Sequence, residues 1–327
     1  MSDPSAPGQD AEFDAILSVP AATSAPLSEV TPPPMSSAHA PAAAHELHGE
    51  PTLAEFRDNW DLYQDAVCAG VAAGAVLGLL GVFVVLRRAV FVTAAVSQAA
   101  GLGVAVAFFL SIHVGLELPP VSVAFAFGVG AALLIGAFRR APREAVVGFV
   151  YLAASAGAVI VGAHITQEAH DISAILFGTA VLVRPDDLAL VLGVGAVATA
   201  VVLVARRGLV FAGLDPETAR VQGLPVRGLE MLLAFLVAAE VSVTTRALGA
   251  LPVFAFAVLP AVAALGLARR FPGALTTAAL IGGLSGGLGY VAAFMFELPV
   301  GASQAMLAAL GCALTLLIAR VRRAMGA

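Results

Sequence analysis

About nine stretches of this chain are each long and apolar enough to cross a lipid bilayer, and little else lies between them. A span needs about 20 largely apolar residues. Such segments run at roughly 66–86, 91–112, 120–138, 145–163, 187–205, 229–248, 251–268, 274–296 and 302–319. Only Gly249 and Ala250 separate the sixth from the seventh, so the count ranges from eight to ten. Composition points the same way: 60% of residues are hydrophobic and 12% are charged, against about a quarter charged in soluble domains. Backbone N–H and C=O groups find no water inside a bilayer, so each span must be a helix. The expected fold class is an all-α polytopic membrane protein. Strand-like alternation, a phosphate-binding loop, a Ser/His/Asp set and a basic nucleic-acid patch are all absent from the sequence. Neither a covalent cofactor nor a nucleic-acid partner is expected, and any ATP chemistry must come from another subunit. Cys68 and Cys312 fall in different spans, which argues against a disulfide framework or a CxxC metal site.

Arginine orients the chain, which contains no lysine. With the N-terminus outside and the C-terminus inside, Arg87, Arg88, Arg139, Arg140, Arg143, Arg206, Arg207, Arg220, Arg227, Arg269, Arg270, Arg320, Arg322 and Arg323 all fall inside. That is 14 of 17, leaving Arg57, Arg184 and Arg246 outside. Short loops rich in arginine stay cytoplasmic, so this is the expected topology.

On the inner side, residues 208–229 read GLVFAGLDPETARVQGLPVRGL, a polar island where the other connections are short. Asp215 is a helix N-cap candidate, Pro216 suits the first helical turn, and Glu217 follows it. Gly223 and Pro225 then act as stops. The pattern predicts a short capped helix presented to the cytoplasm, with Arg220 on it; the plainer alternative is a connector with ordinary cap residues.

The first 60 residues read as a separate tail, and residues 61–327 as the membrane domain. Residues 1–50 are rich in Pro, Ala and Ser, with the run Pro32-Pro33-Pro34, which predicts disorder rather than a signal peptide. His39, His45 and His48 stand near its end, either as a loose metal-collecting cluster or as solvated linker. On the outer side, residues 164–171 read His-Ile-Thr-Gln-Glu-Ala-His-Asp. His164, Glu168, His170 and Asp171 offer imidazole and carboxylate ligands of the kind a divalent ion takes. They form a candidate external reception site or a loop that touches a partner; His113 and Glu117 have the same ambiguity.

Several segments, in order, resemble the metal-type family of ATP-binding cassette (ABC) importer permeases, which carry zinc, manganese or iron. These are GLLGVFVVLRRAVFV (78–92), SQAAGLGVAVAF (97–108), ILFGTAVLV (175–183), LDPETARVQGLPVRGLEMLL (214–233), RALGALPVFAFAVLPAVAALGLARR (246–270) and GYVAAFMFELPVGAS (289–303). The similarity covers about residues 60–320. It implies the permease architecture shared by the metal and vitamin B12 group, in the cytoplasmic membrane of a prokaryote. It also implies a second permease copy, a cytoplasmic ATP-binding subunit, and an extracellular or periplasmic metal-binding delivery protein. By this resemblance 208–229 is the coupling loop, and Asp215, Pro216, Glu217, Arg220, Gly223 and Pro225 are its contact residues.

The second span departs from the family. Members carry Gly-Asp-Ala-Leu-Ser-His there, with the Asp and His four residues apart on one helix face. Here the run is Thr93, Ala94, Ala95, Val96, Ser97 and Gln98. Ala94 and Gln98 replace the Asp and His, so the family's ion site does not carry over. Thr93, Ser97 and Gln98 still form a polar face that either lines the pathway or bonds neighbouring helices. Glu240, some ten residues into the sixth span, sits near the bilayer midplane, where an ionisable group is a functional hypothesis by default. It reads as a cation ligand, a proton-titrating group, a partner of Arg246, or a neutral carboxyl bonded to another helix. The glycines of the eighth span read as packing, and Pro252 and Pro260 as kinks in the seventh. Two functions stay open at this point: an ATP-driven permease, with metal or diverged cargo, and a secondary ion- or proton-coupled carrier using Glu240.

Overall fold

The computed structural model describes residues 53–138, 142–165, 183–268 and 270–324, which are helical apart from short connections. In chain order the helices are α1 (Leu53–Asp58), α2 (Trp60–Leu86), α3 (Val90–Val114), α4 (Pro120–Ala137), α5 (Arg143–His164), α6 (Pro185–Leu214), α7 (Pro216–Val221), α8 (Val226–Leu248), α9 (Ala250–Leu267), α10 (Phe271–Met295) and α11 (Val300–Ala324). Nine of them, all but α1 and α7, are long and apolar enough to cross a membrane among the described residues. Each of the nine predicted spans has one such helix.

Three boundaries differ from expectation, each for a physical reason. The predicted tail does not reach residue 60. Phe56 of α1 is buried, with its ring stacked on Tyr63 at 5.4 Å and 5.1 Å from that of Phe294. That aromatic contact fixes the helix against α2 and α10. At the other end of the fold, α6 continues through Arg206 and Arg207 to Leu214, so the first third of the predicted 208–229 loop is helix. Arginines are good helix formers and interrupt nothing where a helix leaves the lipid. Finally, α8 and α9 are separated by Gly249 alone, at φ 94° and ψ 163°, a conformation that only glycine adopts readily. α9 itself runs as one helix through Pro260, and Pro252 stands in its first turn, where a missing N–H is harmless.

Helix packing is organised by small residues. On α2, Gly70, Gly74 and Gly78 recur every four residues and meet Gly286, Gly282 and Ala278 of α10, which recur every four in the opposite direction. A Cβ added to Gly74 would fall on the carbonyl oxygen of Gly282, and one added to Gly282 on the carbonyl oxygen of Gly74. The two backbones therefore touch, a contact that lipid-embedded helices need because apolar side chains gain nothing by leaving lipid. One turn further along, Gly81 meets the backbone of Ala257 on α9 in the same way. α8 lies in the middle of the bundle, packed against α2, α3, α4, α6 and α9.

Two ion pairs tie helix ends together. Arg87, after the last residue of α2, reaches Glu230 at the start of α8 at 3.8 Å. Arg246, near the end of α8, reaches Asp187 at the start of α6 at 3.4 Å. The two pairs lie at opposite ends of the bundle. The Arg87 end also holds Arg206, Arg207, Arg220, Arg227, Arg270, Arg320 and Arg322, whereas Arg57, Arg184 and Arg246 lie at the other.

Replacing Gly74 or Gly282 by Ala overpacks a backbone contact and should cost about 1–3 kcal/mol. Gly193 of α6 has open space where a side chain would go. Thermal unfolding in detergent should therefore show a lower midpoint for Gly74→Ala and Gly282→Ala and an unchanged one for Gly193→Ala. Equal midpoints for all three would mean that the α2–α10 contact is not limiting.

Candidate functional site

At the arginine-rich end, a Pro-started helix of six residues, α7, bridges α6 and α8. Asp215 caps it, its Oδ1 accepting from the backbone N–H of Thr218 at 3.0 Å. Hydrogen bonding from Thr218, side chain first and backbone second, holds the Asp215 carboxyl below its ordinary range. The cap contribution is thus fully present above the free-aspartate pKa and fades as pH falls through the lowered value. Gly223 takes φ 82° to end the turn, and Pro225 starts α8. Ala219 turns inward onto Ala212 and Val226, with Phe211, Leu224 and Leu229 around them, so the segment carries its own small core. Glu217, Arg220 and Gly223 face outward, and so do Val221, 87% exposed, and Leu214, 67% exposed. A rigid, capped turn showing apolar and charged groups side by side has the character of a protein-binding surface.

Deep in the bundle, Glu240 is fully buried on α8. Its Oε1 accepts from the Thr244 hydroxyl at 3.4 Å, and its Oε2 has no hydrogen-bond partner among the described residues. The carboxyl faces Gly195 of α6: a Cβ there would lie 3.4 Å and 3.5 Å from its two oxygens and 3.0 Å from Val76 of α2. The tight neighbour of a side chain at 195 would be Val76, with the carboxyl at ordinary van der Waals distance. Arg246 is not its partner, contrary to one of the sequence readings, because the arginine is taken up by Asp187. Six residues along a helix place the two side chains on different faces, and the start of α6 supplies the nearer carboxylate. Asp187 is the residue that sequence reasoning missed; a carboxylate in the first turn after Arg184-Pro185 was the available signal.

Ser242 and Thr245 of α8 differ: the Ser242 hydroxyl is bonded, whereas the buried Thr245 hydroxyl has no hydrogen-bond partner among the described residues. Ser242 donates to Ala238 at 2.6 Å and lies 3.3 Å from the carbonyl of Ala124 on α4, while the Thr245 side chain approaches Gly101 of α3. On α3, Thr93, Ala94 and Ser97 are buried, and Ser97 donates to the carbonyl of Ala94 at 2.9 Å. Gln98 is half-buried and forms no hydrogen bond with Glu240. The polar face predicted on the second span and the carboxyl on the sixth are therefore not joined.

At the arginine-poor end, His113 stacks on Phe109 at 4.4 Å and His164 meets the same ring edge-on at 6.5 Å. Each imidazole holds a backbone carbonyl through Nδ1, that of Phe109 at 3.3 Å and that of Ile160 at 2.8 Å. Glu168, His170 and Asp171 lie outside the described residues, as do His39, His45, His48 and most of the 175–183 segment. Among the described residues no three of His, Cys, Asp and Glu come together as metal ligands.

The fold matches that of PsaBC from Streptococcus pneumoniae, solved in complex with a Fab, with TM-score 0.71 at 24% identity over 81% of this chain and 95% of that one. A metal-chelate type ABC transporter in an inward-facing conformation aligns with TM-score 0.63 at 17% identity, over 78% and 87%. In sequence, the manganese transport system membrane protein MntC of Halalkalibacterium halodurans is 26% identical over 76% of this chain and 85% of its own. The chelated iron transport system membrane protein YfeD of Yersinia pestis is 29% identical over 72% and 77%. The profile of the ABC 3 transport family matches residues 59–319. With that match covering most of the chain and reaching into all nine candidate membrane helices among the described residues, the chain belongs to the ABC 3 transport family.

Proposed function

We propose that this chain is the membrane-spanning subunit of an ABC importer that carries a divalent metal cation, manganese, iron or zinc, into a prokaryotic cell. The observation that carries the reading is the capped α7 turn, with its own core and an outward face of Glu217, Arg220, Val221 and Leu214, in a member of this transport family. The manganese and iron systems to which the relatives belong supply the cargo class. A secondary carrier has no use for such a turn. In this reading the arginine-rich end is cytoplasmic, with the N-terminus outside and the C-terminus inside. An ATP-binding subunit docks on α7, a second permease copy completes the pathway, and an external metal-binding protein delivers the ion. Closure of the ATPase pair on ATP moves the α7 turns and shifts the helices between outward- and inward-facing arrangements.

Within the membrane, Glu240 is the pathway carboxylate in this proposal. A buried carboxyl with one unused oxygen is costly to keep in lipid, and this chain lacks the second-span aspartate and histidine that the family resemblance implies. Thr93, Ser97 and Gln98 contribute a polar lining at most, since Ser97 spends its hydroxyl on its own helix. His164, with Glu168, His170 and Asp171, is proposed as the external reception site.

Two measurements test this. Purified in mild detergent from its native membrane, the chain should bring an ATP-binding subunit with it, and Glu217→Ala with Arg220→Ala should lose or weaken that subunit. Isolation of the permease alone in both samples would sink the importer reading. For the pathway, Glu240→Gln at normal membrane levels should cut manganese(II) uptake about tenfold or more, as expected for loss of an essential charged ligand. Unchanged uptake would reduce Glu240 to a packing residue.

A further inference from the structure

Arg87 occupies a position that neither the docking turn nor the buried carboxyl accounts for. It follows the last residue of α2, and its side chain is only 11% exposed. The guanidinium side chain lies across the base of the α6–α7–α8 turn. Its Nη1 is 3.8 Å from Oε1 of Glu230 on the outgoing helix, and its Cγ and Nε lie 3.5 Å and 3.7 Å from where a Cβ would stand on Gly213 of the incoming helix. The arginine stem thus runs alongside α6 at Gly213, one residue before that helix ends. The next residue, Arg88, turns the chain at φ 53°, a left-handed conformation unusual outside glycine, so the end of α2 is sharply defined.

Eleven residues earlier on α2 stands Val76, whose side chain packs against Gly195 beside the two oxygens of Glu240. Eleven residues return a helix to within about 20° of its starting face, some 16 Å further along. Val76 and Arg87 therefore share one face of α2, and both meet glycines of α6, Gly195 and Gly213. The rest of α2 is braced by its backbone contact with α10, so it moves as a strut rather than by bending locally.

We infer that Arg87 is the positioning residue that couples the docking turn to the first span, carrying displacement of the α6–α7–α8 base along α2 to the chamber of Glu240. The inference rests on the proposed docking role of α7. Its physical content is a clamp of two parts: the ion pair with Glu230 resists separation, and the fit on Gly213 resists sliding. Neither part touches the cargo, so loss of Arg87 should leave ATP hydrolysis running while transport falls behind it.

The test uses the permease with its ATP-binding subunit in lipid nanodiscs and proteoliposomes, with Cys68 and Cys312 replaced by Ser and Val76→Cys as a maleimide-reactive reporter. In the parent, the labelling rate at position 76 should differ between the nucleotide-free and the ATP-vanadate states. In Arg87→Met, which keeps the apolar stem, and in Glu230→Gln, the ATP-binding subunit should stay bound and the labelling difference should vanish. Manganese(II) taken up per ATP should fall about tenfold, within the range of ordinary site-to-site couplings. Exchanging the charges, Arg87→Glu with Glu230→Arg, should restore both readouts, which a merely structural defect would not allow. Equal labelling in the two parent states, or a full nucleotide response in Arg87→Met, overturns the inference. Should Arg87→Met fail to reach the membrane, Glu230→Gln at a half-exposed position decides the matter by the same two readouts. The docking role fails separately, by retention of the ATP-binding subunit in Glu217→Ala with Arg220→Ala.

Discussion

The bundle depends on the direct backbone contact between α2 and α10. In water, burying leucine and phenylalanine would hold two helices together; in lipid that gain is absent, and closeness itself has to supply the attraction. Gly70, Gly74 and Gly78 against Gly286, Gly282 and Ala278 bring carbonyls of one helix to the Cα atoms of the other. Every other placement follows from the resulting fixed pair. α9 and α11 lean on it from one side, α6 on α2 from another, and α8 fills the centre. The aromatic group of Phe56, Tyr63, Tyr290 and Phe294 closes one end of the same pair.

The spans and their ends were readable because lipid imposes one rule on every residue at once. Runs near 20 apolar residues, broken by arginine pairs and by Pro or Gly, leave few alternatives for where a helix starts or stops. The capped α7 turn was readable for a different reason: Asp215, Pro216 and Gly223 are local signals that need no distant partner. Where a partner decides the outcome, reading failed or stopped short. Nothing in the sequence near Arg246 says that Asp187, some sixty positions earlier, claims it. Nothing near Gly195 announces a carboxyl on another helix. Phe56 looked like the end of a polar tail until its ring found Tyr63 and Phe294.

Where the family resemblance implies an aspartate and a histidine four residues apart on the second span, α3 carries a buried Ala94 and a half-buried Gln98. In the proposed function the acidity that serves the pathway is on α8, beside Gly195, rather than on α3. The small apolar core under α7 draws on α6, α8 and the segment joining α7 to α8, none of it on α3, so the change on α3 leaves that core untouched.

The single residue between α8 and α9 has a mechanical consequence. Gly249 ties those two helix ends so closely that they cannot part, and it is the place where α8 can tilt with least distortion. Glu240 lies nine residues from that pivot and Glu230 nineteen, about 14 Å and 28 Å along the axis at 1.5 Å per residue. A given swing of α8 therefore displaces its arginine-rich end twice as far as it displaces the buried carboxyl. In the proposed transport cycle the helix would serve as a reduction gear, turning a coarse movement at the membrane surface into a fine adjustment at its centre.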